Sequence, residues 1–146
     1  MTDYQAPVRQ MRFTIEHLAD LPEVVALPDF SSVDTDTIEA VLEEAAKFAG
    51  GVLAPINWLG DRQGVKVVND AVQVPREFAD AYTQFCEAGW PGIASNPEFG
   101  GQGLPHIVAM PVQEMWNSAN MAFCLCPMLT SGVLEALHVH GTPQQH

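Results

Sequence analysis

Four side chains of the right type to hold zinc fall close together near the end of the chain: Cys124, Cys126, His138 and His140. Thiolate and imidazole suit a tetrahedral zinc site, but each pair is spaced i, i+2. On a helix such residues point about 200° apart, so neither pair shares a metal unless the helix breaks. Free cysteines in a core and histidines at a helix end account for the same pattern. Cys86, Cys124 and Cys126 have no neighbouring lysine or arginine to lower a thiol pKa, which a nucleophilic cysteine needs. Ser118, Ser131, Asp70 and the histidines form no recognisable nucleophile motif. The run Phe99-Gly100-Gly101-Gln102-Gly103 could bring bare backbone to a phosphate. It lacks the GxGxxG spacing and the P-loop lysine, and no strand pattern precedes it, so a tight structural loop is the simpler account. Glu114, the one charge between Glu98 and Glu135, is paired, solvated at an edge, or functional. These residues make no catalytic constellation and no metal site.

The charge distribution says more. The 146 residues carry 6 Lys+Arg against 18 Asp+Glu, a formal charge of −12, with 47% hydrophobic and 16% charged residues. That acidity disfavours nucleic acid, whose phosphates need neutralising, and an anionic membrane surface. Three cysteines do not make a secreted disulfide framework, and the opening MTDYQAPVRQM has no apolar h-region. A cytoplasmic, reducing setting is therefore expected. All but three charged side chains lie within residues 1–87, and residues 88–146 contain Glu98, Glu114 and Glu135 with no Lys or Arg. From Met115 to Leu134 there is no charge over twenty residues, a length that could span a bilayer. Asn117, Ser118, Asn120, Pro127, Thr130, Ser131 and Gly132 lie inside it, no basic residue flanks it, and no membrane span is expected. A domain of this size has too little interior for so long an uncharged stretch, so part of that surface is expected to face another domain or subunit.

The elements that must position these residues read as mostly helical. Met11, Ile15 and Leu18 predict a short amphipathic helix, and residues 1–33 an N-terminal extension built around it. Asp36 with Glu39 predicts an N-cap opening a helix with Ile38, Val41, Leu42, Ala45, Phe48, Ala49, Val52 and Leu53 on one face. Gly50-Gly51 weakens that helix by roughly 1 kcal/mol per glycine, and Pro55 is expected to end it. Val65 to Val74 around Asn69-Asp70 predicts a small hairpin. Pro75 suits the first turn of a helix carrying Phe78, Ala81, Tyr82, Phe85 and Ala88, with Gly89 as its stop. Residues 90–105 read as loop. Leu104 to Ala119 keeps helical spacing, and 121–140 is apolar nearly all round, as expected of a helix buried on every side. Thr142-Pro143-Gln144-Gln145 has the cap residue, proline and glutamine of a further helix start, so the chain reads as the front piece of something longer. The expected fold class is all-α, with room for one short hairpin.

Four stretches resemble the N-terminal helical domain of flavin-dependent acyl-CoA dehydrogenases. Glu87-Ala88-Gly89-Trp90-Pro91-Gly92 through Pro97-Glu98-Phe99-Gly100-Gly101-Gln102-Gly103-Leu104-Pro105 looks like the family's "GW.G...P..YGG.GL" loop. Gln113 to Asn120 resembles its following helix, and Gly141-Thr142-Pro143-Gln144-Gln145 its "GT..Q". Tyr4-Gln5-Ala6-Pro7 with Met11-Arg12-Phe13 is similar to the larger subgroup that includes methylmercaptopropionyl-CoA dehydrogenases. The resemblance implies that residues 34–146 form the N-terminal helical domain, with middle β and C-terminal helical domains outside this chain. It implies FAD and an acyl-CoA held where the three domains meet, and a glutamate base on a later domain, so Glu114 is not that base and no residue here is catalytic. It places Cys124, Leu125, Met128 and Leu129 along the acyl cavity. Apolar, polarisable side chains suit an acyl or thioether tail, and ordinary core of a buried helix is the competing account of all four. Gly50-Gly51 departs from the helix-forming pair usual in the family, and His146 stands where a basic residue is common.

Two classes of function follow. The first is the N-terminal portion of a flavoenzyme, inactive alone, whose uncharged half abuts the flavin-bearing domains. The second is a free-standing helical module derived from that family, binding an acyl group or assembling with another subunit, and closing its apolar surface as a symmetric homo-oligomer.

Overall fold

The computed structural model describes residues 4–145. The order is α1 (Val8–His17), α2 (Leu21–Val25), α3 (Thr35–Phe48), a π-helical turn (Ala49–Leu53), α4 (Ala54–Gln63), β1 (Lys66–Val68), β2 (Ala71–Gln73), α5 (Arg76–Glu87) and α6 (His106–His140). It is all-α apart from the antiparallel β1–β2 pair, in which Val67 faces Val72. Asn69 and Asp70 both take positive φ, at 51° and 60°, the backbone a tight two-residue hairpin turn needs. The hairpin is exposed throughout and lies outside the core.

That core is where α3, the π turn, α5 and α6 converge. Leu42, Ala45, Ala49 and Leu53 are fully buried on one side, and Val108, Val112 and Met115 of α6 on the other. Phe85 of α5 lies between them and makes edge-to-face contacts with Trp116 (5.0 Å between ring centroids) and Phe123 (5.7 Å). Trp116 meets Trp90 in turn at 5.2 Å. Each such pair adds about 0.5–1.5 kcal/mol beyond area burial, and here they join α5, the loop and both halves of α6. Met11, Ile15 and Leu21 of α1 and α2 belong to the same core. Arg12 pairs with Glu16 of its own helix and with Glu39 of α3.

Three sequence expectations need correction. The cap of α3 is Asp34, not Asp36. Asp34 has extended backbone and its side chain accepts from the Thr37 N–H at 2.7 Å, whereas Asp36 lies in the first turn and Glu39 is engaged with Arg12. Pro55 does not end the helical run. The glycine pair widens it into the π turn, Ala54 N–H reaches the Ala49 carbonyl, and Pro55 lies in the first turn of α4, where a missing N–H costs nothing. Residues 121–140 are not buried on every side. Phe123, Cys124 and Pro127 are buried, but from Met128 to His140 no residue is buried, and Leu134 (37% exposed) and Leu137 are partly covered. α6 is long and apolar enough to cross a membrane by length and composition, although its first half is packed in the core.

Candidate functional site

α6 carries most of the residues that matter, and it is two helices joined end to end. At Asn120 the backbone leaves helical space (φ −160°, ψ 86°), the extended conformation of an N-cap residue. Its Oδ1 accepts from the Phe123 N–H at 3.1 Å, capping the second segment three residues on. Its Nδ2 donates to the Leu53 carbonyl at 3.1 Å, at the end of the π turn. Asn120 is 1% exposed, so one buried amide makes both bonds in surroundings where an unpaired polar group costs about 1–3 kcal/mol. Sequence reasoning missed this role. The available signal was a cap-type residue inside an otherwise apolar helix, next to Met121, which restarts the helical pattern.

The second segment divides the four residues expected along an acyl cavity. Cys124 faces the core with Phe123 and is 4% exposed. Burial pushes its thiol up to about 11, so it is neutral and inert near pH 7. Leu125, Met128 and Leu129 face away from the core, together with Met121 and Val133, all more than half exposed. Their spacing of i, i+4, i+7, i+8 and i+12 makes one continuous apolar stripe. Cys86 and Cys126 are exposed, so the expectation of buried cysteines holds for Cys124 alone. Cys124 and Cys126 lie on opposite sides of the segment, one buried and one exposed. Glu114 is exposed on the first half of α6.

The glycine loop is folded onto itself. The N–H groups of Gly100, Gly101, Gln102 and Gly103 bond to the carbonyls of Pro97, Asn96, Gly92 and Ser95 at 2.9–3.1 Å. Gln102 Nε2 donates to the Gly89 carbonyl at 2.9 Å, tying the two ends of the loop together. With those N–H groups engaged and no lysine or arginine after Arg76, the loop offers nothing to a pyrophosphate. At the chain's end, the Thr142 N–H donates to Gln145 Oε1 and the Gln145 N–H to the Thr142 carbonyl, both at 2.9 Å. This is the back-reaching half of a capping box, which the residue types of Thr142-Pro143-Gln144-Gln145 predict, and residues 143–145 form a turn. His146 lies outside the described residues.

Loop, kinked helix and capping turn all lie within residues 35–146, which the family model "Acyl-CoA dehydrogenase, N-terminal domain" matches. The chain belongs to the acyl-CoA dehydrogenase family. A 3-methylmercaptopropionyl-CoA dehydrogenase of Ruegeria pomeroyi is 42% identical over 142 residues, covering 97% of this chain and 24% of the relative. A butyryl-CoA dehydrogenase of Syntrophomonas wolfei is 29% identical over 148 residues, and a broad-specificity linear acyl-CoA dehydrogenase of Mycobacterium tuberculosis 26% identical over 147. These matches cover 97% and 99% of this chain, and again 24% of each relative. The chain thus spans about a quarter of the length of the acyl-CoA dehydrogenases it matches.

Proposed function

We propose that this chain is the N-terminal helical part of a flavin-dependent acyl-CoA dehydrogenase, where it supplies a domain interface and part of the acyl-binding wall and is inactive alone. The observation that carries the reading is the exposed, uncharged stripe through Leu125, Met128 and Leu129, in a chain one quarter as long as its relatives. An apolar stripe of this kind left open to water favours a covering surface. When bound to the later domains of the whole enzyme, FAD would supply the hydride acceptor and a glutamate of a later domain would supply the base. The residues of this chain exclude water from the acyl tail and give it apolar contact, with no charge nearby to hold solvent. Glu114 has no part in the proton transfer. Cys124 supports the wall from behind, through its packing with Phe123.

The test is Met128→Lys in the full-length protein. A buried ammonium in an apolar cavity is costly, so turnover on acyl-CoA substrates should fall at least about tenfold, through KM first. Unchanged turnover on every chain length would remove Met128 from the wall. The exposed arm from Met128 to His140 also fits a free-standing module that closes this face with a second copy. That reading predicts a concentration-dependent dimer of the chain alone, which the same lysine dissolves.

A further inference from the structure

Asn120 and the π turn are two irregular points of the helical backbone, and one side chain joins them. The π turn exists because Gly50-Gly51 lets the chain widen, and its last residue, Leu53, presents a carbonyl toward α6. The break at Asn120 turns that carbonyl into an anchor: Nδ2 holds Leu53 while Oδ1 holds the first turn of the second segment through Phe123. The direction of the segment bearing Leu125, Met128 and Leu129 is therefore fixed at its origin by two bonds from one residue. Downstream, Phe123, Cys124 and Pro127 are its last buried residues, so any tilt at Asn120 grows along an arm with little else to hold it. At 1.5 Å of rise per residue, Met128 lies about 12 Å from the pivot, so a small rotation there moves its side chain appreciably.

We infer that Asn120 is the positioning residue that sets the depth of the acyl wall, and through it the preference of the enzyme for acyl chain length. This rests on the acyl-wall reading above. Asparagine meets the requirement because its short side chain offers a donor and an acceptor together. Serine can keep the cap bond but has no amide to reach Leu53. Aspartate also keeps an acceptor for Phe123 and sets a carboxylate against the Leu53 carbonyl, two acceptors facing each other.

The experiment uses the full-length protein, with Asn120→Ser, Asn120→Asp and Met128→Lys compared by two readouts. The first is the distance between spin labels at Gln113 and Ser131, exposed positions on either side of the break, after Cys86 and Cys126 are replaced by serine. The second is the ratio of kcat/KM for short-chain and medium-chain acyl-CoA, with bound flavin as the check on folding. Both Asn120 variants should move or broaden the distance beyond the wild-type distribution, aspartate more than serine. They should shift the chain-length ratio by about fivefold or more, in KM rather than in kcat at saturation. An unchanged distance overturns the inference whatever the kinetics. A moved distance with an unchanged ratio, while Met128→Lys alters it, also overturns it and leaves the acyl wall standing. If Met128→Lys leaves the ratio unchanged as well, the wall itself is misassigned and the inference falls with it.

Discussion

A Cβ added to Gly101 would lie 2.1 Å from the carbonyl oxygen of Ser95 and 2.3 Å from its carbon. Both neighbours are backbone, fixed by the bonds that fold the loop between Gly89 and Gly103, so the contact has no side chain to yield. Gly101→Ala should therefore cost about 3 kcal/mol or more, read as a lower urea midpoint at unchanged slope.

The two glycines of the π turn should respond differently from each other. A methyl at Gly50 meets the Tyr4 carbonyl at 3.0 Å, where the N-terminal segment crosses the turn, whereas one at Gly51 meets nothing within 4 Å. Gly51→Ala should stabilise by about 0.5–1 kcal/mol by narrowing the unfolded ensemble, and Gly50→Ala should not. Thermal unfolding of the two variants checks this.

Cap identity gives a third expectation. Asp34→Ala should lower the melting temperature more than Asp36→Ala, because Asp34 alone accepts from Thr37. Hydrogen bonding from the Thr37 side chain, and then from its backbone N–H, holds the Asp34 carboxyl below its ordinary pKa. A depressed folded pKa stabilises above the unfolded value near 4 and is lost as the pH falls through the folded value. Stability should therefore decline on acidification below about pH 4, less steeply in Asp34→Ala than in the parent.

Much of this architecture was legible in the sequence, and the failures have identifiable causes. The β1–β2 hairpin was readable because Asn69-Asp70 tolerates the positive φ that its turn demands. Asp34 and Asp36 are both cap residues two positions apart, and only the backbone angle at Asp34 decides between them. Pro55 reads as a stop or as a first-turn residue equally well, and a π turn over Gly50-Gly51 leaves no periodic trace. Asn120 counted only as a polar interruption, since a kink is invisible to a pattern that stays helical on both sides. For Leu125, Met128 and Leu129 the limit is more basic. A stripe that faces solvent in this chain has the same sequence pattern as one packed in its own core, so periodicity alone does not tell the two apart.

The cysteines allow a chemical check of that segment. A thiol reagent at pH 8 should modify the exposed Cys86 and Cys126 rapidly and Cys124 only on unfolding, because burial holds Cys124 neutral with a pKa raised to about 11. A raised folded pKa also means that the stabilisation from this neutral thiol is complete below the unfolded value near 8.5 and disappears as the pH climbs toward 11. Intact-mass counting of labels over time distinguishes two fast sites from three.

Core and stripe should separate cleanly by mutation of the chain alone. Phe123→Ala removes a ring that is 4% exposed and packed on Phe85, and should cost about 3–5 kcal/mol. Met128→Lys changes a side chain that is 54% exposed and should leave the stability of the chain within about 0.5 kcal/mol. Equal losses would mean that Met128 is core.

The central claim, that these residues are the first part of an acyl-CoA dehydrogenase, is tested most directly by the intact mass of the native polypeptide in its source cell. The account predicts a product roughly four times the 15.9 kDa of this chain, in keeping with the 24% of each relative that it spans. A native product of 15.9 kDa would contradict it.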